Sequence, residues 1–380
     1  MEMVLTEDQE LIAKTANDFV KERSPISRMR ALRDQADPLG YSRELWKEMA
    51  ELGWVGIALP ERVGGAGMGM ADLVVVVEAL GRPLAPEPFV SCVGLAASAL
   101  IELGTESQQE TWLTPVASGD QVLAFAHLEP ETRYDPYRIE TEVRADGEGY
   151  VLSGRKVQVL DGFGAEAFVV VARIAGEPGD AEGIGLFVVP AEAAGVRVER
   201  QTLLDSRNAA IVEFQNVRIP GEHVLGEPGQ CGSALEKIVD RGTVVLCAEM
   251  LGGMSEAFDL TVDYLKEREQ FGTRIGSFQG LKHRAARVFM EIELARSAVM
   301  ASARAIDEGH EDAAKLVSLA KARCSDAYVL AGNEGVQMFG GVGMTDEYDI
   351  GLYMKRARAS ELTLGDATHH RSRWSTLSQY

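Results

Sequence analysis

Two stretches near the C-terminus decide how this chain is interpreted: Glu-Arg-Glu-Gln-Phe-Gly at residues 267–272 and Gln-Met-Phe-Gly-Gly-Val-Gly at residues 337–343. Arginine presents its donors in a fixed geometry that fits a phosphate group bidentately. Glycines let a backbone approach a ligand closely while its N–H groups stay free. Either stretch alone also fits a plainer role, as a helix C-terminus or as a C-cap loop. The two together, with more glycines than a cap requires, predict a site for a phosphate-bearing ligand.

The composition is that of a soluble globular protein, with 46% hydrophobic and 25% charged residues. A chain of 380 residues is expected to form two or three substructures rather than one core. Lys and Arg number 38 and Asp and Glu number 58, so the net charge is −20. Nucleic-acid binding needs clustered Lys and Arg, so we expect no nucleic-acid partner.

The cysteines and the N-terminus bear on location. Four widely spaced cysteines form no Cys-x-x-Cys pair, so no metal site is expected, and scattered thiols suit a reducing cytoplasm. The chain starts without a basic-then-apolar signal sequence, and no run of about 18 apolar residues predicts a membrane span. We therefore expect a cytoplasmic protein.

The chain reads as three successive regions. Residues 1–120 are predicted to be helical, and Thr6 with Gln9 fits a capping box ahead of the first apolar-periodic run. Further helices are predicted in this region from Ser42 to Leu52 and from Leu95 to Leu103. Residues 121–230 contain short β-branched segments punctuated by Gly and Pro, with a turn signal at Asp146-Gly147, which predict a barrel or sandwich. Residues 231–380 contain long helical patterns with short links, which predict an antiparallel bundle.

Both C-terminal stretches resemble the flavin-contacting signatures of the acyl-CoA dehydrogenases. The order of the three regions is also that family's order, and residues 52–57, Leu-Gly-Trp-Val-Gly-Ile, are similar to its N-terminal landmark. The resemblance covers nearly the whole chain. It implies a mostly α protein with a central β domain: an N-terminal helical domain, a middle β-barrel and a C-terminal four-helix bundle.

The resemblance also implies FAD as the cofactor. In the family, the first stretch leaves one helix and reaches a flavin that is held mainly by a neighbouring subunit. The residues that match the family's FAD contacts are Arg268, Phe271, Phe278, Gln279, Gln337, Gly340 and Gly341.

The β region departs from the family at its two flavin segments. The family's Thr-Glu-Pro-Gly-x-Gly-Ser-Asp is replaced at residues 128–135 by Leu-Glu-Pro-Glu-Thr-Arg-Tyr-Asp. Its Lys-x-Trp-Ile-Thr-Asn is replaced at residues 156–161 by Lys-Val-Gln-Val-Leu-Asp. The glycines, the Trp and the flavin-binding hydroxyls are lost, so what survives is the part that reaches across to a partner's flavin.

The family's catalytic carboxylate is also displaced. Removing a proton α to a thioester carbonyl suits a carboxylate whose pKa is raised by burial. The commonest family position for this base falls at Leu364, and the alternative position falls near Gly242. Neither residue accepts a proton, so the sequence resembles the family's scaffold with an altered active site.

Two nearby residues are candidates for catalytic roles. Asp366 lies two positions past the lost base, in a Gly-Asp-x-x-His-His ending that resembles a divergent branch of the family. Asp366 is predicted either as the base or as the N-cap of a terminal helix. Arg241 is predicted to hold a CoA phosphate or carbonyl, with pairing to Asp240 or Glu236 as the equal alternative.

The leading hypothesis is a flavin-dependent α,β-desaturation of an acyl-CoA thioester. An alternative is a non-catalytic or half-site subunit that completes the FAD pocket of a homologous partner, as in heteromeric enzymes of the divergent branch for steroid side chains. A flavin oxidase or monooxygenase on the same scaffold is a third hypothesis. The family implies electron-transfer flavoprotein as acceptor and a homo- or hetero-oligomer, either a dimer or a tetramer.

Overall fold

The computed structural model describes residues 4–380. The chain divides into two compact units. Unit 1 takes in the chain up to Ala31, together with Met70–Ala85 and Val244–Tyr380. Unit 2 consists of Leu32–Gly69 and Pro86–Thr243. The N-terminal helices are thus shared between the two units, while the division into three consecutive domains stays a prediction.

The N-terminal region is helical, as predicted. At its start, the Gln9 amide donates to the Thr6 hydroxyl and the Thr6 amide donates to the Gln9 side chain, both at 3.2 Å, so the predicted capping box is confirmed. The helices are α1 (Glu7–Arg23), α2 (Ile26–Asp34), α3 (Arg43–Glu51), α4 (Met70–Gly81), a π-helix (Phe89–Ala97), α5 (Ser98–Leu103) and α6 (Glu106–Ala117).

The π-helix differs from the sequence-based expectation of an α-helix that begins at Leu95. All nine residues of Phe89–Ala97 are buried. An element buried on every side shows no polar face, so its hydrophobic pattern has no period from which its start can be read. Its first six residues were therefore missed, whereas the following α5 ends at Leu103 as predicted.

The middle region forms one eight-stranded, mostly antiparallel sheet, which confirms the predicted change from helices to strands. Its order is β6-β7-β3-β2-β4-β5-β8, with β1 paired in parallel to β4. Among the described strands no pairing joins β6 to β8, the step that would close this order into a ring. The strands are β1 (Leu123–Ala126), β2 (Glu142–Asp146), β3 (Gly149–Leu160), β4 (Ala167–Arg173), β5 (Ile184–Pro190), β6 (Val196–Thr202), β7 (Asn208–Pro220) and β8 (Val224–Gly229).

The C-terminal region is helical, as predicted, apart from one small hairpin. Helix α9 packs against α8, α10 and α11, and the division between the units falls inside α7, after Thr243. The elements are α7 (Gly232–Glu267), β9 (Glu269–Gln270), β10 (Thr273–Arg274), α8 (Gln279–Asp307), α9 (Ala313–Phe339), α10 (Ile350–Leu362) and α11 (Ala367–Leu377). Over residues 4–380, no helix is both long and apolar enough to cross a bilayer.

Within unit 1, glycines bring α4 and α7 into direct backbone contact. A Cβ added at Gly252 would lie 2.0 Å from the Glu78 carbonyl oxygen, and one at Gly81 would lie 2.2 Å from the Glu249 carbonyl oxygen. Both distances are far below a van der Waals contact, so these positions exclude any side chain. The packing of α4 on α7 depends on the two glycines.

Candidate functional site

The first C-terminal stretch forms an exposed hairpin at the end of α7. Phe271 and Gly272 form its tip with φ angles of +56° and +75°, the sign that a tight type I′ turn requires. Glycine adopts this conformation freely, but a left-handed Phe costs of order 1–3 kcal/mol. The Phe271 side chain is nonetheless 91% exposed, with its ring centroid 6.2 Å from that of Phe278. An aromatic side chain held out to solvent at a cost in backbone strain is typical of a binding surface.

The hairpin carries unpaired positive charge. The Arg268 side chain is exposed and makes no hydrogen bond or ion pair with any residue in 4–380. Helix α8 begins beside it at Gln279, with no side-chain cap and no acidic residue in its first turn. Free N–H groups at a helix N-terminus attract anions, as does a guanidinium. In a chain of net charge −20, this part of the surface suits a phosphate group.

The second stretch ends α9 in a loop of open glycines. Gly340 has φ +70° and ψ −147°, a conformation that only glycine adopts readily. Added Cβ atoms at Gly340 and Gly341 would meet nothing within 4 Å, so the backbone here is open to a ligand. Gln337 is exposed one turn earlier on α9. The Gly340 N–H already donates to the Gln337 and Val336 carbonyls, so what the structure offers a ligand beside this loop is an open backbone surface and the Gln337 amide.

The two stretches lie side by side in unit 1. Tyr264, one turn before Arg268 on α7, stacks on Phe339 at the end of α9 with ring centroids 4.1 Å apart and an interplanar angle of 13°. The Tyr264 hydroxyl also donates to the Phe339 carbonyl at 3.3 Å. The cofactor-binding residues predicted on α7, α8 and α9 thus belong to one surface.

In unit 2, Glu129 and Lys156, which are retained from the family's two flavin segments, have a structural role. Glu129 and Lys156 form a buried ion pair at 2.5 Å. The Glu129 carboxylate also accepts from the backbone amides of Glu140 and Thr141, at 2.7 and 3.0 Å. Burial by itself raises the pKa of the Glu129 carboxyl, but the Lys156 charge and the hydrogen bonds outweigh it and lower that pKa. The pair fixes the loop between β1 and β2.

The altered positions of these segments offer little to a flavin. Leu128 and Leu160 stand where the family has flavin-binding threonines, and both are only half-buried. Gln158 and Asp161 have φ angles of +49° and +53°, so the end of β3 is irregular. Asp161 is buried and accepts from the Ser91 hydroxyl at 2.5 Å. The hydroxyl donors and the glycine-lined approach are missing from this unit.

At Gly242, near which the resemblance places the family's alternative base, the structure leaves no room for a side chain. A Cβ added there would lie 2.2 Å from Cδ2 of Leu95, which comes from the π-helix. The space that a side chain at position 242 would need is therefore filled. Leu364, at the other family position, adopts a left-handed conformation with φ +56°.

The two candidate catalytic residues both have structural partners. Asp366 is the N-cap of α11, and its carboxylate accepts from the His369 amide at 2.8 Å. Arg241 forms an ion pair with Glu102 of α5 at 3.6 Å, and its expected alternative partner Glu236 instead accepts from the Tyr137 hydroxyl at 2.6 Å. The cap was one of the two roles predicted for Asp366, and its role as a base stays a prediction.

The sequence analysis missed one buried ionisable group next to Asp366. Lys321 of α9 is fully buried, and burial lowers the pKa of its ammonium to about 8. A signal was present in the sequence, because Val317, Ala320 and Cys324 share its buried helix face by their spacing of three and four residues. A lysine inside such an apolar stripe indicates a buried charge.

Three family models together match most of the chain. They are the acyl-CoA dehydrogenase N-terminal domain over residues 6–120, the middle domain over 124–217 and the C-terminal domain over 233–374.

Individual proteins with similar sequences or structures span nearly the full length. A probable acyl-CoA dehydrogenase, YngJ, of Bacillus subtilis (strain 168) is 30% identical over 374 residues, which is 96% of each chain. The structure of butyryl-CoA dehydrogenase from Megasphaera elsdenii is 27% identical, covers 100% of both chains and has a TM-score of 0.93. A chain of the ChsE4-ChsE5 complex from Mycobacterium tuberculosis is 27% identical, with a TM-score of 0.89 over 100% of this chain and 99% of that one.

Proposed function

Because this chain belongs to the acyl-CoA dehydrogenase family, we propose that it takes part in the flavin-dependent dehydrogenation of an acyl-CoA thioester at its α,β bond. The observation that carries the proposal is the surface formed by the hairpin of residues 268–274 and the glycine loop of residues 340–343, joined by the Tyr264–Phe339 stack. Its unpaired cation, exposed aromatics and open backbone suit a dinucleotide.

The residues of this surface fit FAD. Arg268 would neutralise the pyrophosphate, Phe271 and Phe278 would cover a flat ring, and Gln279 and Gln337 would donate from their amides. The open backbone at Gly340 and Gly341 would let the cofactor approach closely. FAD, when bound, supplies the hydride acceptor for the substrate's β carbon. The chain's own contribution is to bind and orient the cofactor.

Unit 2 does not fit FAD equally well, and this favours the second candidate function. In this unit Leu128 and Leu160 replace hydroxyl donors, and Leu95 fills the space beside Gly242. In unit 1, Leu364 stands where the resemblance places a carboxylate. The surface formed by residues 268–274 and 340–343 is retained in this chain. These losses together with that surface favour a half-site subunit that completes the FAD pocket of a homologous partner. The ChsE4-ChsE5 complex, which has the same fold, is named for two different chains.

If the chain does abstract a proton itself, we propose Asp366 as the base. Its carboxylate is half-exposed and lies two residues from the family's usual position. Arg241 would bind a CoA phosphate or the thioester carbonyl after leaving Glu102, and with the phosphate it would exchange one oxyanion for another. We further propose electron-transfer flavoprotein as the acceptor, a dimer or tetramer as the assembly and the cytoplasm as the location.

Cofactor stoichiometry tests the proposal. The purified chain, alone and co-expressed with candidate homologous chains, is assayed for bound FAD by its absorbance and for acyl-CoA oxidation with an artificial electron acceptor. A yellow, active chain supports a self-sufficient dehydrogenase. A colourless chain that gains FAD and activity only with a partner supports the half-site subunit. Peroxide formation without an acceptor indicates an oxidase, and absence of FAD and acyl-CoA binding under every pairing refutes the proposal.

A further inference from the structure

A buried lysine fastens the turn between α10 and α11. The Lys321 ammonium donates to the Gly365 carbonyl at 2.7 Å, to the Glu361 carbonyl at 3.0 Å and to the Ser325 hydroxyl at 3.2 Å. All three of its protons therefore have acceptors. Among residues 4–380 no carboxylate lies within ion-pair distance of it. Two of the three acceptors are main-chain carbonyls, one at the end of α10 and one just before α11. The ammonium therefore binds the backbone on both sides of the turn between these helices.

The turn that Lys321 holds is a strained one. Leu364 and Gly365 have φ angles of +56° and +103°, and a left-handed Leu is costly outside a structure that enforces it. His370 of α11 supplies a second attachment, because its Nε2 lies 2.8 Å from the Leu364 carbonyl oxygen. A carbonyl only accepts, so Nε2 carries the proton. The carbonyls of Glu361, Leu364 and Gly365 are thus bound by side chains from α9 and α11.

The charged and titratable groups around Lys321 come from every element packed against it. Burial lowers its pKa to about 8, while Cys247 on α7, Cys324 on α9, Glu361 on α10 and Asp366 at the turn act in the opposite direction. His370 on α11 stays uncharged, because burial and then the Lys321 charge lower its pKa to about 3. Near neutral pH the turn is therefore held by charge-assisted hydrogen bonds from Lys321 and by a neutral hydrogen bond from His370. The charge-assisted hydrogen bonds are the stronger.

We propose that Lys321 is a positioning residue that fixes the turn of residues 363–366, and with it the side chains of Leu364 and Asp366, through its hydrogen bonds to the Glu361 and Gly365 carbonyls. The inference rests on the proposed function only in that Leu364 occupies the position matched to the family's base and Asp366 is the base proposed for this chain. Lys321 itself touches no reacting group in this role. Opening of the turn returns the Lys321 ammonium to water and to its ordinary pKa of about 10.4, so above pH 8 opening takes up a proton and becomes less favourable as the pH rises.

The hydrogen bonds from Lys321 to the Glu361 and Gly365 carbonyls are called the clamp below. Amide hydrogen exchange on the full chain tests the clamp in the absence of flavin and substrate. The His369 and His370 amides report on it, because they donate to the side chain and the carbonyl of Asp366 at 2.8 and 3.0 Å. In Lys321→Met, which keeps the length of the side chain but no donor, both amides are expected to exchange at least about tenfold faster. Ser325→Ala removes only the acceptor on the lysine's own helix and is expected to change exchange by less than about twofold.

The pH series separates positioning by the ammonium from simple packing. In the wild-type chain, exchange corrected for its intrinsic rise with pH should step down as the pH rises past 8, and Lys321→Met should lack the step. Unchanged exchange in the variant, or an equal step in both chains, would overturn the proposal. If Lys321→Met does not fold, the pH series of the wild-type chain is the test. A corrected exchange rate that does not change with pH would then contradict the clamp.

A second readout connects the clamp to the reaction. In an active assembly, Lys321→Met is expected to lower kcat at least about tenfold with little change in KM for acyl-CoA, since the turn carries no binding contact of its own. Faster exchange with unchanged kcat would refute positioning for catalysis. Failure of the proposed function would give a different result, because the wild-type assembly would then show no turnover. The hydrogen-exchange data would still test the clamp in that case.

Discussion

Tyr264 stacks on Phe339 with ring centroids 4.1 Å apart, and its hydroxyl donates to the Phe339 carbonyl at 3.3 Å. This single pair joins the end of α7 to the end of α9, two positions separated by 75 residues in the chain. Tyr264 lies three residues before the first family motif, and Phe339 is the third residue of the second. The relative placement of the hairpin and the glycine loop therefore depends on an aromatic contact whose Tyr264 half lies outside both motifs.

The first prediction concerns this contact. Tyr264→Ala removes the stack and the hydrogen bond and is expected to weaken FAD binding about tenfold, since aromatic pairs contribute about 0.5–1.5 kcal/mol beyond their buried area. Tyr264→Phe keeps the stack and should stay within about threefold of wild type. FAD affinity is measured by fluorescence titration of the assembly that binds it. Equal affinities for all three chains would show that the stack does not shape the site.

The second prediction concerns the unpaired guanidinium. Arg268→Ala is expected to reduce FAD affinity about tenfold to a hundredfold, because hydrogen bonds to charged groups contribute about 1.5–3 kcal/mol each. Arg274, an exposed arginine of the same hairpin, provides the matched control as Arg274→Ala. Both changes should alter the free energy of unfolding by less than about 0.5 kcal/mol, as is usual for exposed positions. A larger loss of FAD in the control than in Arg268→Ala would contradict the assignment.

The third prediction concerns the contact of α4 with α7. Gly252→Ala forces a methyl group toward the Glu78 carbonyl, so the helices must separate, and a loss of about 1–3 kcal/mol in the free energy of unfolding is expected. Gly280 on α8 is the control, because a Cβ there meets nothing within 4 Å. Gly280→Ala should be neutral or slightly stabilising, since Ala is the better helix former. Urea denaturation of the two variants compares them directly.

The fourth prediction concerns acid stability. Burial, and then the charge of Lys156, lower the pKa of His127 to about 3, compared with about 6.5 in an unfolded chain. Between these values the unfolded state binds more protons, so the free energy of unfolding falls as the pH is lowered through this window. The slope from this residue is about 1.4 kcal/mol per pH unit. His127→Gln removes the titration, and an unchanged slope in urea denaturation across pH 4–6 would contradict the assignment.

The fifth prediction separates the two roles of Asp366. Asn caps a helix about as well as Asp, so Asp366→Asn should leave the free energy of unfolding within about 0.5 kcal/mol of wild type. Asn accepts no proton, so turnover of an active assembly should fall about 10²–10⁴-fold if Asp366 is the base. Asp366→Ala, which loses the cap as well, should destabilise the chain by about 1 kcal/mol. Full turnover in Asp366→Asn would leave the cap as the only role of this carboxylate.

Features set by a few neighbouring residues could be predicted from the sequence. The capping box of Thr6 and Gln9, the start of α3 after Ser42 and the turn at Gly147 all depend on hydrogen bonds or φ angles within four residues. The long C-terminal helices were predicted for a related reason, since a buried stripe repeats along one helix. The family itself could be identified because its two C-terminal motifs are local stretches.

Other features depend on residues that are distant in sequence, and no local pattern encodes them. The filling of the space beside Gly242 by Leu95 and the fastening of Gly365 by Lys321 each join segments at least 44 residues apart, and the π-helix is an element buried on every side. The sequence by itself determined which helices and strands form and which family the chain belongs to, because those follow from near neighbours and from motifs. Only the tertiary structure decided which side chains share a site and which charges are buried, because burial and its effect on pKa are properties of the surroundings that packing creates.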